Sequence, residues 1–210
     1  MTHGRKRRIF GAVGISLGGL LTAMVTLMQW VAYSNAENFT NALRVALQAV
    51  GVVSVVAVVI FVAGLVILAT AHGPGGLFYG SRLPTTALAV LAFVYAGSQV
   101  FFRVFPYFFR GDTVSYAGIN RGVNIVVIAA IMFAALAMLL RSTIPPVPRA
   151  ALFLPALLLI ALQLPFPLPY PGYLLPQVVF HLSWVAVGIL YLVARPLATR
   201  VPEASENLTE

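Results

Sequence analysis

Six long apolar runs, separated by short polar, proline-rich or glycine-rich connections, dominate this sequence. A helix needs about 20 apolar residues to cross the hydrocarbon core of a bilayer, and the runs are of this order. Of the 210 residues, 60% are hydrophobic and only 9% are charged, whereas soluble domains carry about 25% charged residues. Lipid must therefore be the solvent for most of the surface, and no sizeable soluble domain is expected.

The runs predict an all-α integral membrane protein, with a single transmembrane domain over residues 1–198 and a disordered polar tail over 199–210. The fifth span differs from the others, because the prolines at 165, 167 and 169 favour an extended polyproline segment after a short helix. The predicted spans cover residues 9–33, 43–71, 83–105, 119–140, 150–169 and 173–194.

Arginine and lysine lie at the ends of the runs rather than along one stripe. With six spans and a cytoplasmic N-terminus, nine of the 13 basic residues fall on the cytoplasmic side and four on the other. This distribution agrees with the positive-inside rule. We therefore expect a cell-membrane protein with both termini in the cytoplasm. The net charge of +8 then indicates membrane lipids, not nucleic acid, as partners.

Several catalytic chemistries lack their residues. The chain has no cysteine, its one lysine is Lys6, and its five acidic residues lie in connections or in the tail. Thiolate chemistry, a Schiff base within the membrane and mechanisms that need an intramembrane carboxylate are therefore excluded. We expect no cofactor and no metal.

Polar side chains concentrate in the outer half of the predicted spans. Because a polar group facing lipid is costly, these side chains should point into the bundle. They predict an outward-facing pocket whose arginine rim would favour an anion or a lipid headgroup. In the alternative interpretation, they only reach interfacial water or form packing hydrogen bonds. The predicted pocket has Gln99 and His181 as its floor, Gln177 beside it, and Arg103, Arg110 and Arg121 as its rim.

A stripe of small residues marks the first span. Gly14, Gly18 and Thr22 follow one another at intervals of four, which places them on one helical face. Small residues in this pattern allow two transmembrane helices to approach closely. We expect these three residues to pack against another helix.

These patterns favour a non-enzymatic structural, accessory or lipid-interacting membrane component. One alternative is a small transporter or channel for a neutral or anionic solute that enters the outer pocket. A second alternative is an intramembrane enzyme centred on His181, which would need another catalytic group at the same depth. A second copy of the chain and other membrane subunits both stay open as protein partners.

Overall fold

A computed structural model of the protein describes residues 2–34, 41–78, 81–104, 113–164 and 174–194, and side chains throughout these ranges except at 41–49, 103–104 and 113–117. Regular structure in the described residues is helical apart from one isolated bridge. The helices are α1 (His3–Ser34), α2 (Asn41–Ala69), α3 (Leu83–Val104), α4 (Thr113–Arg141), α5 (Pro146–Ala150), α6 (Phe153–Leu162) and α7 (Leu174–Val193).

Five helices in the described part of the chain are long and apolar enough to cross a membrane. They lie in α1, α2, α3, α4 and α7, so the prediction of an all-helical membrane protein is confirmed at this level. Pro146–Leu162, which holds α5 and α6, is a shorter apolar stretch. The rest of the predicted fifth span, 165–169, lies outside the described residues, as does the predicted tail at 199–210.

The short stretch is divided by Pro155, which stands in the first turn of α6. A proline has no amide hydrogen for the carbonyl four residues earlier, here Ala151, and its ring collides with that carbonyl in a regular helix. The carbonyl of Ala151 instead accepts from the amide of Leu154 at 3.2 Å, in a tighter turn. The sequence-based reading placed a connector over 141–149, whereas α5 already begins at Pro146.

Two helices begin earlier than the apolar runs. α1 begins at His3 and so includes the basic cluster, and α4 begins at Thr113 within a stretch that sequence reasoning took for a loop. Hydropathy marks the part of a helix that lies in hydrocarbon, and a polar first turn continues the same backbone hydrogen bonding into the interface. The helices therefore extend beyond the segments that lipid requires.

The helices pack in a closed ring. α1 contacts α2 and α7, α2 contacts α3, α3 contacts α4, α4 contacts α6, and α6 contacts α7. Successive long helices alternate in direction, so one end of the ring gathers the start of α1, the connection from α2 to α3 and the connection from α4 to α5. This end is called the platform, and it comprises residues 2–8, 70–78, 82–85 and 141–149.

Candidate functional site

An aromatic cluster joins α2, α3 and α7 inside the ring. The ring centroids of Phe61 and Tyr95 are 4.6 Å apart, and those of Phe61 and Trp184 are 4.9 Å apart at an interplanar angle of 81°. Edge-to-face contacts of this kind add to the stability that burial provides. All three side chains are buried, so the cluster fills the space where these helices meet at mid-depth.

His181 lies about one turn of α7 farther from the platform than Trp184. Its ring centroid is 5.2 Å from that of Phe180. The side chain is half-buried, and its Nδ1 is buried without a hydrogen-bond partner in the described part of the molecule. The backbone at this point faces α1, because a Cβ built on Gly19 would lie 3.0 Å from the His181 carbonyl oxygen.

Gln99 lies in a different place, on a groove between α2 and α3. The groove has a volume of about 430 Å³ and is open at the surface of the bundle. Its flanks are exposed aliphatic side chains, including Val59 at 61% and Val100 at 62%. His181 is not part of its lining, so the predicted floor residues do not share this groove. The lining consists of Val55, Val58, Val59, Val62, Ala63, Ala96, Gln99 and Val100.

The predicted rim is described only in part. Arg121 is exposed on α4, and Gln177 is half-buried on α7. Arg103 belongs to α3, but its side chain is outside the described set, and Arg110 lies outside the described residues altogether. The predicted pocket therefore stays a prediction, and the groove that contains Gln99 is a separate feature, because His181, Gln177 and Arg121 do not line it.

The small residues of the first span lie at the contact between α1 and α2. A Cβ added to Gly14 would lie 2.8 Å from the Cα of Gly64, and one added to Gly18 would lie 2.6 Å from the Cβ of Phe61. Thr22 is buried, and its hydroxyl donates to the Gly18 carbonyl at 2.8 Å. This hydrogen bond within the helix lets a hydroxyl lie in an apolar interface.

A second small-residue face of α1, which sequence reasoning missed, packs against α7. A Cβ added to Gly188 would lie 2.6 Å from the Ala12 carbonyl oxygen, and one added to Gly19 would lie 3.1 Å from the Cβ of Trp184. The Ser16 hydroxyl donates to the Val185 carbonyl at 3.4 Å. The sequence of α1 contains more small residues than one helical face can hold. This excess was the signal for a second packing face.

Unpartnered buried polar atoms cluster on α7 and the start of α1. Among the described residues they are His181 Nδ1, Trp184 Nε1, Tyr191 OH and Arg8 Nε. The three α7 residues follow one helical face, and Arg8 lies near the end of that face because it donates to the Ala194 carbonyl. Trp184 and Tyr191 are fully buried among apolar side chains. Close packing leaves little room for a ligand beside them.

Hydrogen bonds join the connections of the platform to one another. The loop after α2 is closed by hydrogen bonds such as Leu77 N to the Ala71 carbonyl at 2.9 Å. The carbonyl of Leu77 then accepts from Ser142 Oγ at 2.7 Å and from the amide of Thr143 at 2.9 Å. These two bonds join connections that lie 65 residues apart in sequence.

Two glycines allow the backbone conformation of the loop after α2. Gly73 and Gly75 have φ angles of 83° and 76°, a left-handed conformation that side chains disfavour. The His72 side chain is held at the other end of the loop, where Thr85 Oγ1 lies 2.8 Å from its Nε2 and its ring lies 4.8 Å from that of Phe78. His72 is therefore a structural residue of the platform.

Within the described residues, no group of three or more histidine, cysteine, aspartate or glutamate side chains could hold a metal ion. Comparison with known proteins gives no match, since no family model, no curated protein and no solved structure matches this chain. The function must therefore be argued from the groove, the interior and the platform.

Proposed function

We propose that this protein is a non-enzymatic, lipid-interacting membrane component whose α2–α3 groove holds the acyl chain of a lipid. The observation that carries the proposal is the composition of the groove, in which seven aliphatic side chains surround one carboxamide, that of Gln99. An acyl chain matches such a wall, and the single polar group is suited to a lipid's ester or headgroup atoms. Because the groove opens between two apolar helices of membrane-spanning length, lipid is the medium that reaches it.

The interior supports a component without transport activity. A solute route would need polar groups along a water-accessible path, but the aromatic cluster of Phe61, Tyr95 and Trp184 fills the described interior with buried rings. Both small-residue faces of α1 are in close contact with neighbouring helices. A transporter built on this bundle would have to separate these contacts at each cycle, so this alternative has less support.

The alternative of an enzyme centred on His181 also has less support. Catalysis needs a second group within hydrogen-bond reach of the imidazole. In the described structure the His181 ring contacts Phe180, and its Nδ1 has no hydrogen-bond partner. No described side chain is therefore hydrogen-bonded to this nitrogen as an acid or a base would be.

The proposed acyl-chain site is tested by a substitution that fills the groove. Ala96→Leu adds bulk inside the groove, and Ala89→Leu adds the same bulk at an exposed position of the same helix outside it. The purified protein is reconstituted with a phosphatidylcholine that carries a photoreactive acyl chain, and cross-linked peptides are mapped by mass spectrometry. We expect cross-links on α2 and α3 at the groove, reduced severalfold by Ala96→Leu and unchanged by Ala89→Leu. Equal cross-linking in all three proteins would refute an acyl-chain site here.

A further inference from the structure

The platform carries two sets of basic side chains, and only one set is hydrogen-bonded to other described residues. Arg7 Nη1 donates to the Thr70 carbonyl at 3.0 Å, and Arg8 and Arg149 also donate to main-chain carbonyls, of Ala194 and Ile144. These three side chains hold the platform together. A second set is exposed at the same end of the bundle and consists of Arg5, Lys6, Arg82 and Arg141.

No carboxylate in the described chain neutralises this exposed set. All five acidic residues, Glu37, Asp112, Glu203, Glu206 and Glu210, lie outside the described residues. Like charges gathered at one end of a bundle attract anions, most strongly where the charges border a low-dielectric medium. The charge of the described platform is therefore suited to an anion.

The arrangement of the cations favours lipid over a protein partner. Arg5 and Lys6 lie in the first turn of α1, Arg82 directly precedes α3, and Arg141 ends α4. They are spread around the ring at the ends of apolar helices, which is the depth of lipid headgroups. An acidic protein would be better matched by charges grouped on one raised patch.

The hydrogen bonds of the platform fix where these charges stand. The Cβ of Arg5 lies 3.0 Å from the position that a Cβ on Gly75 would occupy, so α1 and the loop are in direct contact there. The bonds from Ser142 and Thr143 to the Leu77 carbonyl hold the end of α4 against the same loop. Cations on a fixed frame lose less entropy when they bind an anion than cations on a mobile loop.

We propose that the platform binds the phosphate-bearing headgroups of anionic lipids in the leaflet that surrounds it. This inference rests on the proposed function, because it names the class of lipid that a lipid-interacting component would select. Each arginine or lysine near an anionic surface strengthens binding by roughly fivefold. The contribution falls as ionic strength rises, because the cations are exposed.

The test removes or conserves one charge of the platform, that of Arg141, which is exposed at the end of α4. The full-length protein in detergent micelles is titrated with phosphatidylglycerol or phosphatidylcholine, and bound lipid is counted by native mass spectrometry. We expect the wild type to prefer phosphatidylglycerol. Arg141→Gln should weaken this binding roughly fivefold, and Arg141→Lys, which keeps the charge, should bind as the wild type does.

Three outcomes would overturn the inference. Equal binding of the two lipids by the wild type would mean that the platform does not select anionic headgroups and would favour an acidic protein as its partner. Binding of phosphatidylglycerol by Arg141→Gln that equals that of the wild type would remove the platform as the cause. Inorganic phosphate that binds as tightly as phosphatidylglycerol would assign the surface to a free anion.

The two proposals fail separately. The groove is probed with a zwitterionic lipid and Ala96→Leu, whereas the platform is probed by lipid charge and Arg141→Gln. If groove cross-linking persists while the preference for phosphatidylglycerol is absent, only the platform inference fails. If Arg141→Gln acts as expected while Ala96→Leu has no effect on cross-linking, the acyl-chain groove fails and the headgroup surface stands.

Discussion

At the scale of single residues, the fold depends on positions where a missing side chain lets two backbones meet. A Cβ added to Gly64 of α2 would lie 2.6 Å from the backbone nitrogen of Ile15 in α1. Backbone atoms within a helix cannot shift as a flexible side chain can. In a membrane, such close approach contributes the van der Waals contact that drives helix association.

Gly64→Ala should therefore destabilise the protein by about 1–3 kcal/mol, the range typical of overpacking. Gly97→Ala is the matched control, because a Cβ there would meet nothing within 4 Å. The control should be neutral or slightly stabilising, since alanine is the better helix former. Thermal unfolding of both purified variants measures the difference, and a Gly64→Ala protein as stable as Gly97→Ala would refute the close contact.

At the scale of elements, α1 packs against both α2 and α7, and α7 contributes the tryptophan of the aromatic cluster. Gly14 and Gly18 face α2, while Ala12, Ser16 and Gly19 face α7. On the inner face of α7, Trp184 reaches both Phe61 and Tyr95, with ring centroids 4.9 and 6.5 Å away. One side chain thus contacts rings from two other helices.

Trp184→Ala should destabilise the bundle by roughly 3 kcal/mol, because it leaves a cavity where three helices meet. Trp30→Ala provides a comparison, because Trp30 is half-buried on α1 and lies outside the cluster. Unfolding is followed in mixed micelles as the fraction of a denaturing detergent is raised. We expect a large loss of stability for Trp184→Ala and a small loss for Trp30→Ala. Similar losses in both would argue against the cluster as the centre of the fold.

The helices also show which parts of the structure could be predicted from the sequence and which could not. Apolar runs of about 20 residues indicate transmembrane helices because lipid offers no other partner for the backbone. The same signal fades at polar helix starts such as Thr113. It could not separate the two faces of α1, because Gly14 and Gly19 look alike until the neighbours α2 and α7 are placed. The break before Phe153 was readable from Pro155, although sequence reasoning treated that stretch as one span.

At the scale of the whole molecule, the described ring has the platform at one end and a groove on its side. The bond from Ser142 to Leu77 joins segments that lie 65 residues apart, and a single sequence carries no signal for such a pair. The sequence therefore predicted only two separate connections between apolar runs. Sequence reasoning also combined Gln99 with His181 because both were polar at similar depth, whereas the groove that contains Gln99 is lined by α2 and α3 alone.

We expect the bundle to cross the membrane with its platform on the cytoplasmic side, because most of the arginine and lysine residues belong to that side in the predicted topology. Because the chain has no cysteine, single cysteines report their position without background. Thr2→Cys lies at the platform, and Ser34→Cys lies at the opposite end of α1; both side chains are exposed. A membrane-impermeant maleimide added to intact cells measures which of them faces outward. We predict labelling of Ser34→Cys in intact cells and of Thr2→Cys only after permeabilisation. Labelling of Thr2→Cys in intact cells would contradict a cytoplasmic platform.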